Sequence, residues 1–160
     1  LAQPRDRKEV ADSIMGMYRR AQEVQAGKPE FSNIKTGKGG IRDIEFLVQG
    51  LQMIHASKHP DLILGNTLEA IRKLEEHGLL SKQDAGLAQD DYMVLRKIEH
   101  FLQIMEDRQI HTLPTSPEEW LRLARCMDGA DARADRFESI LKERLAANHQ
   151  RFIKEWHEAC

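Results

Sequence analysis

The chain has 160 residues, of which 41% are hydrophobic, about the length of one domain with enough apolar material for a real core. Its 24 basic residues are nearly cancelled by 26 acidic ones, so there is no global electrostatic case for binding nucleic acid or an anionic membrane. Two widely separated cysteines, Cys126 and Cys160, exclude a disulfide framework or a thiolate metal site and suit a reducing cytoplasm, while no apolar run approaches the roughly 20 residues that span a bilayer.

The chain opens at Leu1 rather than Met and without an obvious cap. The expectation is a single helical domain, residues 1–160, excised from something longer. From Asp6 to about Gln25, Val10, Ile14, Met17, Ala21 and Val24 recur at steps of four and three, the mark of an amphipathic helix. Gly27, Lys28 and Pro29 end it, and residues 30–40 form a loop with Phe31 and Ile34 as anchors. A second helix follows with Ile41, Ile44, Leu47, Val48, Leu51 and Ile54. Phe46 lies well round from that face, and a helix apolar on more than one side is usually central.

Pro60 breaks the second helix, and Asn66 or Thr67 caps a short third one carrying Leu68, Ile71 and Leu74, which stops at Gly78. Ser81 with Asp84 resembles a capping box and opens a long helix with an expected inner face of Leu87, Tyr92, Leu95, Ile98, Leu102 and Met105. That helix is expected to reach about Gln109. Ser116-Pro-Glu-Glu119 starts a fifth helix with Trp120, Leu121, Leu123, Ala124 and Met127, closed by Gly129. A last helix, from about Ala132 to Glu158, is expected to bury Phe137, Ile140, Leu141, Leu145, Phe152 and Trp156. No sustained period-two alternation occurs. The fold class is therefore all-α, a bundle of about five or six helices with two long ones.

The stretch Asn33-Ile-Lys-Thr-Gly-Lys-Gly-Gly-Ile-Arg-Asp-Ile-Glu-Phe46 is the part that looks built for chemistry. Glycines allow close approach, and the start of a helix offers N–H groups to an anion. Lys35, Lys38, Gly39 and Gly40 are the candidate phosphate-binding residues. The loop lacks the Gly-Lys-Ser/Thr ending of a Walker motif, and the plain alternative is a tight helix entry with solvated lysines. Beyond it, Arg42, Glu45, Gln49 and Gln52 share one side of the second helix, able to bond internally or to face a cleft. Asp43 points elsewhere, in the first turn, where a carboxylate suits the helix dipole.

Neither Asp43 nor Glu45 takes a catalytic role from spacing, and the pair makes no metal site. His55 and His59 have a spacing that can hold a metal, but no Glu-bearing zinc motif surrounds them and Pro60 ends the helix. His77, His100, His111, His149 and His157 read as helix ends or amphipathic surface. The expectation is no metal in this chain.

The run from Asn33 to Gln49 closely resembles the signature of the helical domain that follows a nucleotidyltransferase domain in bifunctional glutamine synthetase adenylyltransferase/deadenylylase. Leu79-Leu80-Ser81, Leu95-Arg-Lys-Ile-Glu99 and Gln109-Ile-His-Thr-Leu-Pro114 resemble that family in order and spacing, so the likeness covers about Phe31 to Met127. The His-Thr-Leu-Pro turn is more like the N-terminal, deadenylylating half. PII uridylyltransferases share a Gly-Gly-Leu-Arg-Asp-Ile version, but do not continue as Glu-Phe-Leu-Val-Gln.

The resemblance implies a parent enzyme that uses Mg2+ and ATP, ADP or phosphate to adenylylate, and phosphorolytically deadenylylate, a tyrosine of glutamine synthetase, controlled by PII and glutamine. It implies as partners the preceding nucleotidyltransferase domain, glutamine synthetase and PII, in the cytoplasm, with no nucleic acid or membrane. The superfamily's Gly-Ser and Asp-x-Asp metal motif is absent from this chain, so the chain by itself is expected to be inactive, with Arg42, Asp43, Glu45 and Gln49 lining the domain junction. A docking module for glutamine synthetase or PII is the alternative, as is the equivalent domain of a PII uridylyltransferase.

Overall fold

The computed structural model describes residues 3–106 and 111–157. Its helices are α1 (Arg7–Gln25), α2 (Ile41–His55), α3 (Thr67–Glu76), α4 (Lys82–Glu106), α5 (Pro117–Asp128) and α6 (Ala134–His157), with a 3-10 turn at Pro60–Leu62. Among the described residues there is no strand, only a β-bridge between Asn33 and Thr112. The two long helices are α4, of 25 residues, and α6, of 24. Their expected continuations to Gln109 and Glu158 lie outside the described residues.

Local chemistry sets most helix ends. The Asp6 carboxylate accepts from the amides of Lys8 and Glu9, Asn66 Oδ1 accepts from Glu69 N, and Ser116 Oγ accepts from Glu119 N ahead of Pro117. At the end of α3, Gly78 takes φ +67° while Leu79 N donates to Leu74 O and Gly78 N to Glu75 O, the two bonds of a Schellman closure. Ser81 Oγ accepts from Asp84 N and donates to Asp84 Oδ2.

α2 is the central element and packs on α1, α3, α4 and α6. Ile41, Ile44, Leu47, Val48 and Leu51 are all buried along it, each contributing about 1.5–3 kcal/mol of transfer free energy. Gly50 brings α6 close: a Cβ there would stand 2.3 Å from the Trp156 ring, which is fully buried.

Three apolar positions differ from the sequence reading. Val24 is 71% exposed because the inward stripe of α1 runs through Val10, Ala11, Ile14, Met15 and Tyr18 and continues as Gln22 and Gln25, which bond the loop. Leu87 is 40% exposed. The stripe of α4 runs instead through Ala85, Ala88, Asp91, Leu95, Ile98 and Leu102, and Asp91 breaks the apolar pattern from which the face was inferred. Ile140 is 45% exposed, flanking a stripe of α6 whose members are Phe137, Leu141, Leu145, Asn148, Phe152 and Trp156.

Candidate functional site

The loop ahead of α2 is bonded to its own chain along most of its length. Asn33 Oδ1 accepts from the amides of Lys35 and Thr36, an Asx turn. Gly37 N donates to Asn33 O and Gly40 N to Gly37 O. On one flank Ile34 N donates to His111 O and Leu113 N to Ser32 O, both at 2.8 Å. On the other, Gln22 Nε2 donates to Thr36 O at 3.0 Å and Gln25 Nε2 to Thr36 Oγ1 at 2.8 Å. Ile34 is fully buried, and Phe31, at φ +57°, packs against the core.

The helix start does not present the free amides expected of it. Ile41 N donates to Ile34 O, Arg42 N to Lys35 O and Asp43 N to Gly40 O, and Gly39 N donates to Asp43 Oδ2 at 2.8 Å. Gly39 serves packing. Gly39 has φ +72°, and a Cβ on it would fall 1.7 Å from Leu145 O, so only glycine permits this approach of the loop to α6. Asn148 Nδ2 completes the seam by donating to Gly39 O at 2.6 Å.

Asp43 departs from the cleft-lining set. Its carboxylate is 2% exposed and faces inward, 3.0 Å from His149 Nδ1. The His149 ring stacks on Tyr18 at 5.7 Å between centroids. Burial pushes the Asp43 carboxyl above the usual carboxylate range, partly opposed by the bonds to His149 and Gly39. Burial also pushes the Tyr18 hydroxyl up to about 12, with the Asp43 charge adding to it.

A second buried carboxylate, Glu99, 5% exposed, joins regions that are far apart in sequence. Lys35 Nζ lies 3.8 Å from Glu99 Oε1, His111 Nδ1 3.1 Å from the same oxygen, and Arg96 NH1 2.7 Å from Oε2. That histidine nitrogen makes no aligned hydrogen bond among the described residues. Glu99 thus gathers the glycine-lysine loop, the α4 run Leu95–Glu99 and the His-Thr-Leu-Pro turn.

The remaining candidates lie at the surface of this arrangement. Lys38 Nζ is 3.1 Å from Glu30 Oε1, and Arg42 NH1 is 3.0 Å from Glu45 Oε2. Gln49 is exposed and outside the Arg42–Glu45 pair, whereas Gln52 Nε2 donates to Leu62 O and Leu64 O at 2.6 and 3.0 Å. Asp43 and Glu45 do not fit Mg2+, because Asp43 is buried among its own partners and Glu45 is held by Arg42. Sequence reasoning passed over Glu99, Asn148, His111 and His149. The only available signals were the runs around residues 95–99 and 111–114, and the half-buried histidines read as surface for want of a visible partner.

A family model described as GlnD PII-uridylyltransferase matches residues 11–159. A protein of Ralstonia nicotianae, named bifunctional glutamine synthetase adenylyltransferase/adenylyl-removing enzyme, is 44% identical over 109 residues, 68% of this chain and 11% of its own length. Proteins with the same name from Aromatoleum aromaticum and Bordetella pertussis are 39% identical over 121 residues (76% of this chain, 13% of theirs) and 35% identical over 146 residues (91% and 15%). The chain therefore spans between 11% and 15% of the length of these relatives.

Proposed function

The chain belongs to the GlnD PII-uridylyltransferase family, and from that premise we propose that it is the helical domain following a nucleotidyltransferase domain in a glutamine synthetase adenylyltransferase/adenylyl-removing enzyme. It packs on the nucleotidyltransferase domain and helps to form its cleft. The shared name of the relatives, at 35–44% identity, favours this parent over a PII uridylyltransferase. The parent adenylylates glutamine synthetase on a tyrosine and removes the adenylyl group by phosphorolysis, under PII and glutamine, in the cytoplasm. This domain belongs to the deadenylylating half.

The observation that carries the reading is a set of cations on the fixed loop and the first turn of the helix that follows it. Lys35, Lys38 and Arg42 have side chains 30%, 44% and 43% exposed, and each lies beside a carboxylate of the same chain. Since the amides are committed within the chain, an anion in the cleft meets side chains rather than backbone. A negative phosphate is attracted to such cations more strongly once a neighbouring domain excludes water. Mg2+ and the nucleotide are held by the nucleotidyltransferase domain, and the chain by itself is inactive.

In the intact enzyme, Lys38→Ala and Glu45→Ala lower adenylyl removal while leaving the thermal unfolding transition in place. Normal turnover in both variants would overturn the proposal. A docking role, with glutamine synthetase or PII as partner, draws on a different observation: Met93 and Ile104, 51% and 63% exposed, lie on nearly the same side of α4. Retention of either partner on the immobilised chain after the 35–45 segment is altered would favour that role.

A further inference from the structure

Away from the loop, His59, Asp61 and His77 meet where the 3-10 turn approaches the end of α3. Each offers one ligand atom, and these atoms lie within 4.8 Å of one another. His77 Nε2 is 3.0 Å from Asp61 Oδ1 and 2.9 Å from Oδ2. The rings of His59 and His77 are 4.2 Å apart between centroids. Asp61 is exposed and the histidines are half-buried, so the cluster is open to solvent on one side.

The backbone beneath these side chains is fixed. His59 caps the 3-10 turn and Asp61 lies within it, and the turn is held by the fully buried Leu62 and by the Gln52 side chain bonded to Leu62 O. His77 is the C-cap of α3, set in place by the closure at Gly78. Two elements separated in sequence therefore deliver their donors to one spot.

We propose that His59, Asp61 and His77 form a binding site for one divalent cation of the zinc class, with water as fourth ligand. Two imidazole nitrogens and a carboxylate oxygen with an open position are a familiar zinc donor set. At metal–ligand distances of about 2.0–2.1 Å, tetrahedral ligand atoms stand roughly 3.4 Å apart. The Asp61–His77 contacts are already shorter than that, and the His59 donor, within 4.8 Å of both, has to move closer to complete the set.

The cation takes the place of a proton between His77 and Asp61. A neutral His77 ring moves its proton to Nδ1, and a charged ring releases one to solvent. Lys73 Nζ, 3.6 Å from Asp61 Oδ2, is the competing cation, but it also lies 2.8 Å from Glu76 Oε2 and keeps that partner when Asp61 turns to the metal. His55 is not part of the group. The bound ion would tie the segment after α2 to the end of α3.

The test uses the tag-free chain, stripped with chelator and titrated with Co2+ and then Zn2+. One equivalent of Co2+ should give the intense visible absorption of a four-coordinate ion, Zn2+ should displace it, and Zn2+ should raise Tm. Asp61→Asn, which leaves the helices intact, should weaken Zn2+ binding by about tenfold or more, and His59→Gln and His77→Gln should remove the Co2+ spectrum, with circular dichroism confirming that each variant is folded. The absence of saturable binding, or binding that survives Asp61→Asn and His59→Gln unchanged, would overturn the assignment.

Discussion

The carboxylate of Asp43, in the first turn of α2, lies 3.0 Å from Nδ1 of His149 on α6, a residue 106 positions later. The same carboxylate accepts from Gly39 N, so a single buried side chain links the loop turn, the central helix and the last helix. A buried charge that loses its partner is costly, by about 3–5 kcal/mol, and this makes the pair a point where pH and mutation should read out clearly.

Asp43 supplies a pH dependence of defined sign. Its carboxyl is raised in the folded chain, mainly by burial, so the folded state holds the proton more tightly than the unfolded one. The stability linked to it is complete below the ordinary carboxylate value, about pH 4, and is lost as pH rises through the raised value. Asp43→Asn should remove that decline, and urea midpoints across this range should converge or cross. Parallel curves for the two proteins would contradict the buried-charge account.

Tyr18 should mark the alkaline side. Its hydroxyl is pushed up to about 12 by burial and the neighbouring Asp43 charge, against about 10 for an ordinary tyrosine. Tyr18 should therefore ionise late in an ultraviolet titration, and Asp43→Asn should bring that step down. Because this pKa is also raised on folding, the associated stability is present below about pH 10 and declines above it. Tyr18→Phe should flatten this part of the unfolding profile.

Glycine substitutions separate a close approach from an ordinary helix position. Gly39→Ala places a Cβ 1.7 Å from Leu145 O at φ +72° and should cost several kcal/mol, on the order of 3 or more, through strain and separation of the loop from α6. Gly86, exposed in α4, meets nothing within 4 Å. Its replacement by Ala should stabilise the chain by about 0.5–1 kcal/mol. Chemical denaturation of the two variants gives the comparison directly.

The α4–α6 contact depends on Asp91, 4% exposed, which pairs with Arg151 and accepts from Arg144 NH1 at 2.8 Å. Asp91→Ala leaves the guanidinium of Arg151, 14% exposed, without its buried counter-charge. The expected loss is about 3–5 kcal/mol. Adding Arg151→Met should recover part of it, since removing both charges avoids an unpaired one, and a double-mutant cycle measures the coupling. Strict additivity would show that the pair is not coupled.

Helix starts and stops were legible because their causes are local. Asn66, Ser81 with Asp84, Pro117, Gly78 and Gly129 act within a few residues of the ends that they define. The resemblance of Asn33–Gln49 was legible for the same reason, being a contiguous string. Most inward apolar residues were legible from their periodicity, including Phe137, Leu141, Leu145, Phe152 and Trp156 of α6 and Leu95, Ile98 and Leu102 of α4, and the misreadings fell at Val24, Leu87 and Ile140. In α1, α4 and α6 the inward stripe passes through Gln22, Asp91 and Asn148, and a polar residue at such a position looks like surface until its partner is known.

The sequence by itself determined an all-α chain, the order of its helices and the loop on which its family signature is written. Tertiary structure alone decided what that loop's groups do. Asp43 meets His149, Glu99 meets Lys35 and His111, Asn148 meets the Gly39 carbonyl, and His59 meets His77, each across a gap that helical periodicity does not bridge. Burial of a polar group is stable only where a complementary group arrives to satisfy it, and that arrival is a property of how the helices pack.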